Sequence, residues 1–124
     1  MILIAERDQS VRALERHFLE QAGFQVEFAD HGLEVIERVQ VARPALIVTE
    51  ILIPKLDGLT LCRRLRDDPS TRDIPVIVFS ILSAAPRAAD AGAFAFLRKP
   101  LVESVFVGLI QEAIAAQTTQ IKEP

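Results

Sequence analysis

Short apolar runs rich in β-branched residues alternate along the chain with longer stretches of helical spacing. The short runs are Ile2 to Ala5, Val26 to Ala29, Ala45 to Thr49, Val76 to Ser80 and Phe94 to Leu97. Within them, Ala45-Leu46-Ile47-Val48 and Val76-Ile77-Val78-Phe79 are apolar at every position. A strand with one wet face would alternate, so an unbroken apolar run predicts a strand covered on both sides, as in a parallel sheet. Between the runs, Val11, Leu14, Phe18 and Ala22 recur at i, i+3, i+7 and i+11. That spacing predicts a first helix, with Gly23 placed to end it. Leu33, Ile36 and Val39 predict a second helix after the Asp30-His31-Gly32 turn, and Leu59, Cys62 and Leu65 a third. Val102, Val105, Phe106, Leu109, Ala113 and Ile114 predict the last and longest.

The segment Leu82 to Gly92 is alanine-rich and carries Pro86. Proline inside a helix costs about 3 kcal/mol, so a helix here is short or begins near Pro86. The pattern is βα repeated five times. Parallel strands need right-handed crossovers, which place helices on both faces of the sheet. A closed eight-fold barrel would need about twice this length. The expected fold is therefore α/β: an open five-stranded parallel sheet, doubly wound, with a short or irregular fourth helix. Residues 1–117 form the expected domain, and the polar residues 118–124 an expected tail or linker stub.

At 124 residues the chain is one domain's worth. It can bury about two-thirds of its unfolded surface without a metal or disulfide staple. Half of its residues are hydrophobic, which excludes a disordered chain. No apolar run approaches the ~20 residues of a membrane-spanning helix. Met1 leads into an apolar run without a basic flank or cleavage site, which predicts no signal peptide. Cys62 is a lone cysteine and forms no internal disulfide. These features predict a cytoplasmic setting and no membrane partner. A net charge of −3 argues against a nucleic-acid partner.

Ligands of open α/β sheets bind beyond the carboxyl ends of the strands, where the strand order reverses. Glu6, Arg7 and Asp8 follow the first strand. Glu50, Pro54, Asp57 and Gly58 follow the third, Ser80 ends the fourth, and Lys99-Pro100 follow the fifth. With strands one and three adjacent, Glu6, Arg7 and Glu50 converge opposite Ser80 and Lys99.

In these segments the chain resembles the receiver domains of two-component response regulators, the CheY-like family. The resemblance covers nearly the whole chain. It is carried by Ile2-Leu3-Ile4-Ala5-Glu6-Arg7-Asp8 with Arg12 beyond, by Ile47 through Gly58, by Ile74-Pro75-Val76-Ile77-Val78-Phe79-Ser80, and by Ala91 through Pro100. It implies strand order 2-1-3-4-5. It also implies two acids after strand one and an aspartate after strand three that hold Mg²⁺, the aspartate taking a phosphoryl group from a histidine kinase. A Ser or Thr and a Lys then contact that group, and an aromatic residue on strand five turns inward.

Matched position by position, the chain departs from this pattern at the chemistry. Glu6 matches the first acid, Ser80 and Lys99 match their roles as phosphate contacts, and Phe96 takes the switch-aromatic position without a hydroxyl. Arg7 stands where the second acid is expected, and Glu50 where the phosphoacceptor aspartate is expected. Mg²⁺ seeks a shell of oxygens, and a guanidinium supplies none. A unit charge about 5 Å from a divalent ion, at an effective dielectric of about 20, costs roughly 6–7 kcal/mol. No cofactor is expected, and Mg²⁺ binding is expected to be weak or absent; any residual ion would fall to Glu6, Asp8 and Glu50. Without the metal, phosphoryl transfer loses its main charge stabiliser. Glu50 reaches about 1.5 Å further than aspartate, placing its charge partway toward a phosphoryl group. The expected pocket is an ion-pair cluster of Glu6, Arg7, Glu50 and Lys99, with Arg7 and Glu50 in a bidentate fork.

The leading expectation is a divergent pseudo-receiver, with no catalytic residue of its own, that holds one fixed state. It would work by contact with a protein of a two-component pathway, through helix four, strand five and helix five, with possible self-dimerisation, or through helix one. An alternative is a receiver that still accepts a phosphoryl group through Glu50 or Asp57 with a displaced Mg²⁺ site. A third reading, a flavodoxin-like flavin binder, lacks Trp and Tyr for stacking. Asp8 is as suited to capping the first helix as to the pocket. Cys62 reads as a small buried hydrophobe, and His17, His31 and the Arg63-Arg64-Arg66 group as surface. No Gly-rich phosphate loop, zinc spacing or nucleophile triad is present.

Overall fold

The computed structural model describes the backbone of residues 1–122 and the side chains of residues 1–117. Ten elements alternate: β1 (Ile2–Ala5), α1 (Gln9–Gln21), β2 (Val26–Ala29), α2 (Gly32–Val41), β3 (Leu46–Thr49), α3 (Gly58–Asp67), β4 (Val76–Ser80), α4 (Ala85–Asp90), β5 (Ala95–Arg98) and α5 (Glu103–Lys122). The strands form one parallel sheet in the order β2-β1-β3-β4-β5. β1, β3 and β4 are buried along their whole length, which is why their sequences do not alternate. The last strand begins at Ala95 rather than Phe94, whose N–H only closes onto the Val76 carbonyl at 2.8 Å. Residues 118–122 of the expected tail continue the backbone of α5, and 123 and 124 lie outside the described residues.

Two apolar layers flank the sheet. Leu3, Ala5, Ile47 and Val78 pack with α2, α3 and α4 on one side. Ile2, Ile4, Val48, Ile77 and Phe79 pack with Leu19 of α1 and with Phe106, Ile110 and Ala113 of α5 on the other. α4 is six residues long, with Pro86 in its first turn, where a missing N–H costs least.

α1 differs from its sequence reading in phase. Leu14 is 47% exposed and Ala22 is exposed, whereas Glu15 and Leu19 are completely buried. Arg12 sets this orientation, because it reaches across to the backbone carbonyls of Glu6 and, at 3.1 Å, Ala29. The helix ends as the sequence suggests. Gly23 has φ 94°, and the N–H groups of Gly23 and Phe24 donate to the carbonyls of Glu20 and Leu19. In α2, likewise, Val35 and Val39 face the core while Leu33 is 37% exposed.

Candidate functional site

Strand register assembles the site. Ala5 pairs with Thr49, and the Glu50 N–H donates to the Ala5 carbonyl at 3.0 Å. Glu6 and Glu50 therefore leave the sheet side by side, where the order reverses between β2-β1 and β3. On the other side Ser80 pairs with Arg98, and the Lys99 N–H donates to the Ser80 carbonyl at 2.9 Å. The Lys99–Pro100 peptide is cis. Lys99 Nζ lies 2.8 Å from Glu6 Oε1 and 3.0 Å from Glu50 Oε2, above the Phe79 ring. All three charged side chains are largely buried, at 13%, 5% and 8% exposure for Lys99, Glu6 and Glu50. Burial alone would lower the Lys99 pKa. The hydrogen bonds and negative charges of Glu6 and Glu50 outweigh it and hold the ammonium above its ordinary value.

Both carboxylates are also fixed by backbone. Glu6 Oε2 accepts from the Asp8 N–H at 3.1 Å. Glu50 Oε1 accepts from the N–H groups of Ile51 and Leu52, at 2.7 and 3.4 Å. The loop after β3 folds back so that the Gly58 N–H reaches the Ile51 carbonyl at 2.9 Å. A Cβ on Gly58 would overlap the Glu50 carbonyl oxygen, so only glycine allows this approach.

The other sequence candidates fall elsewhere. Arg7 is exposed and forms no ion pair among the described residues, so the fork with Glu50 is absent and the expected four-member cluster contracts to Glu6, Glu50 and Lys99. Successive residues leaving a strand point to opposite sides, and a guanidinium stays hydrated at less cost than it is buried. Asp8 is exposed and caps α1, its Oδ1 accepting from Ser10 and Val11 N–H. Ser80 is buried, and its Oγ accepts from the Leu82 N–H at 3.2 Å instead of touching Glu50 or Lys99. Phe96 is half-buried and packs against the α2/α3/α4 layer.

Asp57 caps α3, accepting from Leu59 N–H and from both the N–H and hydroxyl of Thr60. Burial raises its pKa, but these hydrogen bonds prevail and hold it below the ordinary value. His31 caps α2 through Nδ1, and His17 lies exposed on α1. Cys62 is buried and its thiol is pushed up to about 11, mainly by burial.

One acid was overlooked by sequence reasoning. Glu15 is completely buried in α1, and neither carboxylate oxygen has a hydrogen-bond partner among the described residues. Burial first, then the charge of Glu6, raises its pKa to about 8; Lys99 and Arg12 oppose the rise and Glu50 adds to it. The available signal was the line Val11, Glu15, Leu19 at i, i+4, i+8, an acid between two apolar residues on one helix face.

As a cation site the pocket offers two carboxylates, each already paired with Lys99. Among the described residues no group of three or more His, Cys, Asp or Glu side chains could hold a metal ion. None of the described helices is long and apolar enough to cross a membrane.

An open sheet of order 2-1-3-4-5, with two acids at the switch point and a lysine reaching them from the end of β5, has the flavodoxin/CheY-like architecture. The family model of the response regulator receiver domain matches residues 2–111, and the chain belongs to that family. It is 38% identical over 102 residues to the response regulator MprA of Mycobacterium ulcerans (strain Agy99), covering 80% of this chain and 43% of that protein. The MprA response regulator of Mycobacterium leprae (strain TN) is 39% identical, with 44% of its length covered. The chain thus spans less than half the length of these curated relatives. The crystal structure of the signal receiver domain of a signal transduction histidine kinase from Syntrophus aciditrophicus superposes with a TM-score of 0.86 at 34% identity, covering 93% of this chain and 89% of that one. The chain is therefore a receiver domain of two-component signalling.

Proposed function

We propose that this domain is a pseudo-receiver, which signals through protein contact without being phosphorylated on its third-strand acid. The observation that carries this reading is the Lys99 ammonium set between Glu6 and Glu50, at 2.8 and 3.0 Å. That charge occupies the space between the two acids that a divalent ion would need. A third acidic ligand is lacking, because Arg7 takes that position and Asp8 is spent on a helix cap. This donor set does not suit Mg²⁺, which prefers one or two free carboxylates together with phosphate and water. Glu50 already places a carboxylate against Lys99, as a phosphorylated aspartate would place its phosphoryl group. The domain on this reading holds one state.

Its partner is a protein of a two-component pathway, or a second copy of the chain, in a cytoplasmic setting. Exposed apolar side chains support such contact, because Ile81 just after β4 and Val102 and Val105 around the start of α5 are each more than half exposed. The test is incubation with a small-molecule phosphodonor and Mg²⁺, followed by intact mass measurement. No adduct is expected. A stoichiometric phosphate adduct would overturn the reading and make the domain a phosphoryl acceptor with a displaced metal.

A further inference from the structure

Glu15 has no part in the reading above, yet it is a completely buried acid with neither carboxylate oxygen hydrogen-bonded among the described residues. It sits on α1 one turn before Leu19, and both are completely buried. Its layer is apolar, built from Ile2, Ile4, Val48, Phe79, Phe106 and Ile110. A carboxylate enclosed this way, with both oxygens unbonded among the described residues, is costly when charged and tolerable only when neutral.

The charges that act on it are few. Glu6 after β1, Glu50 after β3 and Lys99 after β5 belong to the site, and Arg12 lies on α1 itself. From α5 the described acids Glu103 and Glu112 point to solvent, and on β2 Glu27 is exposed and paired with Arg38. Nothing else charged among the described residues meets Glu15 from the packed elements.

α1 is in turn fastened to the site. The Asp8 N–H, at its cap, donates to Glu6 Oε2, and Arg12 Nε donates to the Glu6 carbonyl. A shift of α1 therefore pulls on the same Glu6 that holds Lys99.

We propose that Glu15 makes α1 a proton-gated element: neutral, it lets the helix seat on the sheet; ionised, it drives the helix off its seat and loosens the Glu6–Lys99–Glu50 lock. This holds whether or not the site accepts a phosphoryl group. The coupling is reciprocal. A change that removes the Lys99 charge favours the neutral carboxyl, and one that neutralises Glu6 or Glu50 favours ionisation.

The test is an NMR titration of the full chain from pH 6 to 9.5, following side-chain carboxyl carbons and backbone amides. Glu15→Leu serves both to assign the signal and as the control. The expected result is a Glu15 carboxyl midpoint near 8. The amides of Asp8, Arg12 and Lys99 should shift with the same midpoint, and those shifts should vanish in Glu15→Leu. Glu15→Gln, which keeps the shape without the charge, should match Glu15→Leu. A Glu15 midpoint in the ordinary carboxylate range overturns the proposal. So does a midpoint near 8 with the three amides unmoved, or with their shifts unchanged in both variants.

Discussion

Lys99 Nζ lies 3.0 Å from Glu50 Oε2, and both side chains are nearly out of reach of water. Because Glu6 shares the same ammonium, removing it strands two buried carboxylates together. Breaking a buried pair from one side costs about 3–5 kcal/mol, since the remaining charge keeps its desolvation penalty. Lys99→Met should therefore lose about 3 kcal/mol in urea unfolding at neutral pH. Adding Glu6→Gln and Glu50→Gln should recover most of that loss. A single variant as stable as the parent would mean that the three groups are solvated.

Isothermal titration calorimetry with Mg²⁺ should register no firm binding to the parent chain. The double variant Arg7→Asp with Glu50→Asp supplies a third acid and withdraws the one now reaching Lys99. It should bind Mg²⁺ in the micromolar-to-millimolar range, about 4–8 kcal/mol of affinity. Firm uptake by the parent chain that disappears in Glu50→Gln would count against the pseudo-receiver reading.

The strand pattern was legible because full burial leaves unbroken apolar runs at Leu46-Ile47-Val48 and Val76-Ile77-Val78-Phe79. The positions of Glu6, Glu50, Ser80 and Lys99 followed from where those strands stop. Side-chain direction was less legible. Arg7 follows Glu6 by one residue and points away from it, and a one-residue step at a strand end cannot be resolved from composition. The inward face of α1 was less legible for a different reason. Its inward line runs through Glu15, and an acid on the buried face makes the apolar pattern point toward Leu14 instead.

Gly58 bears on the site through backbone alone. A Cβ there meets the Glu50 carbonyl oxygen and the Ile51 backbone, neither of which is a flexible side-chain end. Gly58→Ala should destabilise by about 2 kcal/mol or more, which for a domain of this size lowers Tm by roughly 8 °C. The α3 N-terminus should show the largest amide shifts. An unchanged Tm would mean that the loop relaxes freely.

Asp57 tests the cap against the chemistry. Asp57→Ala removes the acceptor for Leu59 and Thr60 and should cost about 1 kcal/mol. Its folded pKa is depressed, so its contribution is present above the ordinary value of 3.8 and fades as pH falls through the folded value. The parent and the variant should therefore converge in stability in strong acid. The mass spectrum after phosphodonor treatment should be the same for both, because the carboxylate serves the helix.

Glu15 should make the domain less stable as the solution becomes more alkaline. In the unfolded chain it titrates near 4.5, and in the folded chain near 8. Below the first value both states hold the proton, so nothing is lost. Between the two values the folded state keeps a proton that the unfolded state has released, and unfolding gains up to about 1.4 kcal/mol per pH unit. Above about 8 the loss levels off. Glu15→Leu removes this dependence and fills the same apolar layer. Its advantage in urea unfolding should grow from pH 4.5 upward, reaching on the order of 3 kcal/mol at pH 7. An advantage that stays constant across this range would show that Glu15 is as ionised in the folded chain as in the unfolded one.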